Sequence, residues 1–113
     1  MINQSTYQII ISEEVDKFLE EIDIKAKNKI FYNLRLVSAG YKDNELFKKL
    51  EGTDIWEFRT LYNGIAYRLL AFFDPKKRAF IVTTHGFKKK TRKTPKKEIE
   101  KAEEIRKEYL KNQ

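Results

Sequence analysis

Three consecutive segments constrain the fold of this chain more than any other feature of its sequence. Residues 55–61 alternate apolar and polar side chains, residues 65–73 form a mostly apolar run, and residues 79–84 form a third strand-like segment. Asn63-Gly64 and Asp74-Pro75 separate these segments, and both pairs are typical of tight turns. Strands joined by tight turns pair in antiparallel fashion. The sequence therefore predicts a three-stranded antiparallel meander.

The segments before the meander predict a strand followed by two helices. Tyr7 to Ile11 is a β-branched run, and Ser12 can then cap a helix. Apolar residues at helical spacing predict an αα-hairpin over residues 12–39, with a break near Asp23 and Gly40 at its end. A further short strand is expected around Lys48-Lys49-Leu50.

A last helix is expected over residues 95–111, with Thr94 as its cap and Pro95 in its first position. The predicted order is β-α-α-β-β-β-α. This order predicts an α+β fold with a small antiparallel-rich sheet, an N-terminal αα-hairpin and a C-terminal helix. We expect the helices to cover one face of the sheet, and residues 1–113 to form a single domain.

Residue types exclude several classes of site. The chain has no cysteine and one histidine, so a thiol nucleophile, a thiolate zinc site and a disulfide framework are excluded, and a metal cluster is not expected. No cofactor motif is present. No apolar run approaches the ~20 residues of a membrane span, and the N-terminus lacks a signal-peptide pattern. We expect a cytoplasmic protein without a cofactor.

The distribution of charge suggests a polyanionic partner. The net charge is +7, yet residues 1–24 contain one lysine against six acidic residues, so the excess of positive charge lies in residues 25–113. Nucleic acid is the commonest polyanion that such a basic region binds. A lysine-rich surface that only improves solubility is the alternative.

Strand alternation places two arginines on one face of the meander. Trp56 and Tyr67 belong to the apolar face that should meet the helices, which leaves Arg59 and Arg68 on the other face. Each arginine could be an exposed charge that interrupts a sheet surface. Together they could instead form a phosphate-binding face, because a guanidinium forks onto phosphate oxygens.

The stretch from His85 to Lys93 combines the single histidine with a basic run. Alternation places His85 on the face of Thr83, at the edge of the third strand. A histidine there could transfer protons near neutral pH, or it could be structural. Residues 88–93 are expected to form a basic loop, and Lys93-Thr94-Pro95 to start the last helix without a chemical role.

Four motifs follow one another along the chain. They are Trp56-Glu57-Phe58-Arg59, Tyr67-Arg68, His85-Gly86-Phe87-Lys88-Lys89-Lys90 and Lys93-Thr94-Pro95. In this order they resemble the phage-derived, HigB-like branch of the RelE/ParE toxin superfamily. The resemblance covers about residues 7–110.

The resemblance implies the toxin of a type II toxin–antitoxin system. Such a toxin is expected to be a ribosome-dependent, metal-independent mRNA endoribonuclease that arrests translation. Its expected partners are a cognate helix-turn-helix antitoxin, the ribosome with mRNA, and operator DNA through the antitoxin. The alternative is a non-catalytic protein of the same fold, which would inhibit gyrase or bind nucleic acid through its basic face. A structural phage domain is a third reading.

The resemblance and the basic patches together give the candidate site residues. Related toxins often use a tyrosine near the C-terminus, and Tyr109 is the only one in the last helix. The expected catalytic residues are Arg59, Arg68, His85, Lys88 and Lys89. The expected RNA-binding residues are Lys48, Lys49, Tyr62, Lys90 and Arg92, with Tyr62 able to stack on a base.

Overall fold

The predicted meander forms the middle of a five-stranded sheet in this protein, whose computed structural model describes residues 6–113. The strands are β1 (Gln8–Ile10), β2 (Phe47–Lys49), β3 (Trp56–Tyr62), β4 (Ile65–Phe73) and β5 (Phe80–Lys89). The helices are α1 (Glu13–Glu21), α2 (Ile24–Ser38) and α3 (Lys96–Lys111). The order across the sheet is β1-β5-β4-β3-β2; β1 runs parallel to β5, and the other pairs are antiparallel. The predicted α+β class is confirmed, and the elements follow the predicted order with the further short strand, β2, added before the meander.

The two N-terminal helices begin at the residues whose side chains can cap them. The Ser12 hydroxyl accepts a hydrogen bond from the Val15 amide at 3.1 Å, and an Asp23 carboxylate oxygen accepts one from the Lys25 amide at 2.7 Å. Each bond satisfies an amide that has no partner within its helix. The chain leaves α2 through Gly40, whose φ of +100° suits glycine.

The helices cover both faces of the sheet, so the expectation that they cover one face was wrong. One core lies against α1 and α2 and includes Leu19, Leu34 and Leu69. A second core lies on the other face, where Ala102 of α3 packs with Leu70 and other residues of β4 and β5. Successive residues of β4 are apolar, so both of its faces need cover to remove their apolar area from water.

Strand β5 extends well beyond the predicted end at Thr84. Its residues up to Lys89 pair with the first half of β4, so the basic loop begins only at Lys90. The register shifts where Leu70 opposes both Thr84 and His85, which is a β-bulge. A bulge adds one residue to the strand, and therefore reverses which face the following side chains occupy.

None of the helices within residues 6–113 is both long and apolar enough to cross a membrane. The expectation about a signal peptide rests partly on residues 1–5, which lie outside the described residues.

Candidate nucleic-acid interface

The face of the sheet that α3 covers only in part carries a basic cleft. Arg59 and Arg68 are directly paired across β3 and β4, and Lys48 is paired with Glu57 across β2 and β3. Directly paired residues share a face, so all four side chains lie on the side of α3. The cleft has a volume of about 460 Å³. Its lining residues are Lys48, Lys49, Leu50, Glu51, Glu57, Arg59, Lys89, Arg92, Lys93, Thr94 and Ile99.

Glu57 is buried among the cations of the cleft, with only 2% of its surface exposed. Its Oε1 atom lies 3.4 Å from Nε of Arg68 and 3.6 Å from Nε of Arg59. Its Oε2 atom accepts a hydrogen bond from the Thr94 hydroxyl. A carboxylate removed from water needs such partners, and Glu57 draws them from three separate parts of the chain.

The two arginines differ in their access to solvent. Arg68 is 8% exposed, whereas Arg59 is half-buried and lines the cleft. Each guanidinium donates through Nη1 to a backbone carbonyl, that of Tyr67 for Arg68 and that of Asn44 for Arg59, both at 3.1 Å. Burial lowers the pKa of Arg68, and the charge of Glu57 opposes this effect. Arg59 is therefore placed to meet a ligand in the cleft, with Arg68 behind it.

Lys89 is the lysine whose chemistry the cleft alters most clearly. It is paired with Ala66 at the end of β5 and is partly buried. Burial lowers the pKa of Lys89, and the nearby charges of Arg68, Arg59 and Lys48 lower it further, while Glu57 opposes them. A lysine with a lowered pKa has a larger neutral fraction, and only the neutral amine can accept a proton.

The loop between β5 and α3 closes one side of the cleft. Arg92 lines the cleft as expected, and Lys93 and Thr94 do so as well. The prediction that Thr94 caps the last helix was wrong: α3 begins at Lys96, Pro95 stands at its N-cap without a side-chain bond, and Thr94 donates to Glu57 instead. A hydrogen bond to a carboxylate is charge-assisted, and is therefore stronger than the neutral one that this hydroxyl would accept from an amide at the helix end.

His85 lies on the side of α3, because the bulge reverses the alternation that placed it with Thr83. It is 4% exposed. Its Nε2 atom lies 3.1 Å from a carboxylate oxygen of Glu98 in α3, and its Nδ1 atom lies 3.0 Å from the Thr84 hydroxyl. Burial lowers the pKa of His85, although the hydrogen bond to Glu98 opposes this effect. His85 is not among the residues that line the cleft, and it joins α3 to the sheet.

Three other candidates lie away from the cleft. Lys88 is paired with Tyr67, so it points to the opposite face of the sheet. Tyr62 packs at the edge of the core beneath α1 and α2, and cannot stack on a base held in the cleft. Lys90 is exposed just beyond β5 and does not line the cleft.

Tyr109 lies at the other end of α3 from the cleft. Its ring packs on Phe72, and its hydroxyl donates to Asp74 at the turn after β4. Gln113 donates to the same carboxylate at 2.8 Å, and the amide of Lys76 donates to its other oxygen at 2.7 Å. These bonds, led by that from Tyr109, hold the pKa of Asp74 far below its ordinary value. This cluster fixes the end of α3 and is separate from the basic cleft.

The structure thus brings together Arg59, Arg68, Lys89 and the rim residues Lys48, Lys49 and Arg92. Sequence reasoning missed Glu57, Lys93 and Thr94. The polar Glu57 among apolar neighbours of β3 was the signal that could have indicated a buried site residue. In the described part of the chain, no three acidic or histidine side chains come close enough together to hold a metal ion.

Comparison with models of known protein families gives a match. The model of a family described as "Phage derived protein Gp49-like (DUF891)" matches residues 17–107, which is most of the chain. No curated protein matches the sequence at a significant level.

Proposed function

The chain belongs to the Gp49-like family of phage-derived proteins, and from this premise we propose that it is the toxin of a type II toxin–antitoxin system. The proposed activity is metal-independent cleavage of mRNA on the ribosome. The observation that carries this proposal is the cleft, in which Arg59, Lys89 and Arg92 surround a space of about 460 Å³. A single-stranded RNA backbone requires such an open groove lined by cations.

The chemistry needs a group that holds phosphate charge and a group that accepts a proton. In RNA cleavage the 2′-hydroxyl gives its proton to a base, and its oxygen forms a bond to the phosphorus. The bond between the phosphorus and the 5′-oxygen breaks, and the 5′-oxygen takes up a proton from water. We assign stabilisation of the negative charge on the phosphate to Arg59. Arg68 lies behind it and adds to the positive electrostatic potential at the phosphate. Fixed donors of this kind typically contribute ~2–4 kcal/mol each to the transition state.

The proton acceptor in this proposal is Lys89 and not His85. Lys89 lines the cleft and its pKa is lowered, which favours the neutral amine. His85 is buried and bonded to Glu98 and Thr84, so it lacks a path to a 2′-hydroxyl in the cleft. The ribosome is expected to supply much of the in-line orientation, so cleavage of free RNA should be slow.

The proposed partners follow from the same assignment. The cognate antitoxin, expected to be a helix-turn-helix protein encoded beside this chain, would relieve toxicity by binding the toxin. Ribosome-bound mRNA would be the substrate, and operator DNA would be reached only through the antitoxin. These reactions place the protein in the cytoplasm.

The first experiment tests class and chemistry together. The chain is expressed with and without its neighbouring gene, and mRNA 5′ ends are mapped. We expect growth arrest that the neighbour relieves, and new 5′ ends in translated messages. With Lys89→Met the cuts should fall by about 100-fold or more, since general-base catalysis contributes roughly 10²–10⁴-fold. His85→Gln should retain most cuts, after correction for the amount of folded protein.

Two outcomes would reject the chemical assignment. Cuts that persist at the normal level in Lys89→Met would exclude Lys89 as the base. Their loss in a folded His85→Gln protein would return proton transfer to the histidine.

A non-catalytic binding function is the second candidate, and the burial of the only histidine favours it. In that case the basic face would bind nucleic acid, or the protein would inhibit gyrase, without breaking an RNA bond. Growth arrest without new mRNA ends, or DNA damage on expression, would support this candidate over the first.

A further inference from the structure

Glu57 is a buried negative charge in a cleft that otherwise suits a polyanion. By itself it repels phosphate and costs desolvation energy, so its presence requires an explanation. It is the second residue of β3, and its partners on the two neighbouring strands are Lys48 and Leu70. It lines the cleft, and its side chain is only 3% exposed.

Glu57 contacts each of the two arginines at the Nε atom of its guanidinium group. In both guanidinium groups the Nε atom is buried and has no hydrogen-bond partner within residues 6–113. The Oε1 atom of Glu57 is the carboxylate oxygen that both Nε atoms face, at 3.4 and 3.6 Å. Each Nη1 atom is already bonded to a backbone carbonyl. Arg59 lines the cleft, so its remaining guanidinium N–H groups are the ones available to a ligand.

The other carboxylate oxygen of Glu57 bonds to the loop that contains two cations of the cleft rim. Oε2 accepts a hydrogen bond from the Thr94 hydroxyl, and Thr94 directly follows Arg92 and Lys93 in the chain. One carboxylate therefore touches the two arginines on the strands and the segment that closes the cleft. When one group already holds three parts of a site in place, less conformational entropy is lost as the substrate binds.

We propose that Glu57 is a positioning residue of the RNA-cleaving site, which holds Arg59 and Arg68 by their Nε edges and ties the Arg92-Lys93-Thr94 segment to the sheet. The proposal rests on the proposed function and assigns Glu57 no contact with the substrate.

The test uses Glu57→Gln, which keeps the shape of the side chain and removes its charge. Three quantities are measured: the side-chain Nε–H signals of the arginines by NMR, binding of a short single-stranded RNA oligonucleotide, and the rate of mRNA cleavage on ribosomes at saturating toxin. The control is Glu20→Gln, which makes the same charge change at an exposed position of α1 on the other side of the sheet.

We expect Glu57→Gln to separate binding from cleavage. Loss of a negative charge should leave RNA affinity unchanged or strengthen it by about twofold to fivefold. Misplaced arginines should lower the cleavage rate by at least about 10-fold. Two dispersed, slowly exchanging Nε–H signals should move to the position of free arginine. Glu20→Gln should change none of the three quantities beyond a small effect on affinity.

Other results would overturn the proposal. Unchanged arginine signals, or undiminished cleavage in the folded variant, would show that Glu57 does not position the arginines. A parallel fall of affinity and cleavage would indicate a structural role only. If the wild-type protein itself cuts no mRNA, the proposed function is rejected. The Nε–H signals of the arginines then show by themselves whether Glu57 positions the arginines.

A second variant covers the case in which Glu57→Gln does not fold. Thr94→Val replaces the hydroxyl that donates a hydrogen bond to Glu57 with a methyl group of similar size. The position is partly exposed. We expect a smaller loss of cleavage, about threefold to 10-fold, with RNA affinity reduced by less than twofold. Cleavage at the wild-type rate would remove the loop from the proposal.

Discussion

At the scale of single residues, burial changes what a titratable side chain can do. His85 has an ordinary pKa of 6.5, and burial against α3 lowers it in spite of Glu98. The charged groups that influence it are Glu98 and Lys101 of α3 and Glu14 of α1. The histidine therefore acts as a neutral hydrogen-bonding link between the sheet and α3.

This burial predicts how stability depends on pH. The folded pKa of His85 lies below that of the unfolded chain, so the unfolded state binds the proton first as the pH falls below about 6.5. The free energy of unfolding should then decrease by up to about 1.4 kcal/mol per pH unit, until the pH passes below the folded pKa. Urea unfolding between pH 7.5 and 5, at roughly half-unit steps, measures this slope.

The matched variant is His85→Gln, which keeps a hydrogen-bonding side chain without a titratable ring. Its free energy of unfolding should stay nearly constant between about pH 7 and pH 5.5, where that of the wild type decreases. If the variant showed the same slope as the wild type, the slope would have to come from other groups and the linkage role of His85 would be rejected.

At the scale of elements, the bulge in β5 decides how both layers of helices pack. It turns His85 toward α3 and places Gly86 opposite Leu69, on the face of α1. A Cβ atom built on Gly86 would collide with the ring of Phe18 and lie 2.8 Å from Leu69 Cδ2. Glycine is needed there for close packing of α1, and its φ is not in the left-handed region.

We therefore expect Gly86→Ala to loosen α1. The added methyl group should lower the free energy of unfolding by about 1–3 kcal/mol, as overpacking in a core typically does. Urea unfolding gives the total loss, and amide hydrogen exchange shows whether it falls on α1. Together with Phe18→Ala, the loss should be smaller than the sum of the two single effects. Strict additivity would mean that the two groups do not collide.

At the scale of the whole molecule, the sheet separates two kinds of surface. The side of α3 holds the basic cleft, whereas α1 on the other side begins with Glu13, Glu14 and Asp16. Glu14 also pairs with Lys101 of α3 at 3.3 Å, so some of this acidic charge is internally neutralised. The basic cleft and the acidic first turn of α1 thus lie on opposite sides of the sheet, an arrangement that favours approach of a polyanion to the cleft.

This separation predicts which cations govern binding of single-stranded RNA. Arg92→Gln should reduce the slope of log affinity against log salt by about 0.7, the value for one contact with a single-strand phosphate. Lys25→Gln, an exposed lysine at the start of α2 on the other side of the sheet, should leave the slope unchanged. Fluorescence anisotropy at several salt concentrations measures both slopes. Equal reductions would show that RNA binds without regard to the face.

The features that could be predicted are those that depend on near neighbours in the chain. Period-two alternation placed Arg59 and Arg68 on one face, because β3 and β4 pair without any register shift. The same rule failed for His85, because a bulge lies between Thr83 and Gly86. The prediction that Thr94 caps α3 was wrong, because its hydrogen-bond partner Glu57 lies 37 residues away in the sequence.

Local patterns in the chain were enough to predict the meander, the two N-terminal helices, the concentration of positive charge after residue 24 and the shared face of the two arginines. These features follow from side-chain periodicity, turn chemistry and composition, all of which act locally. Three further features became visible in the folded protein: α3 covers the second face, His85 is buried, and Glu57 joins the arginines to the loop before α3. Burial and charge pairing depend on which distant segments meet, and the pattern of any single segment does not contain that information.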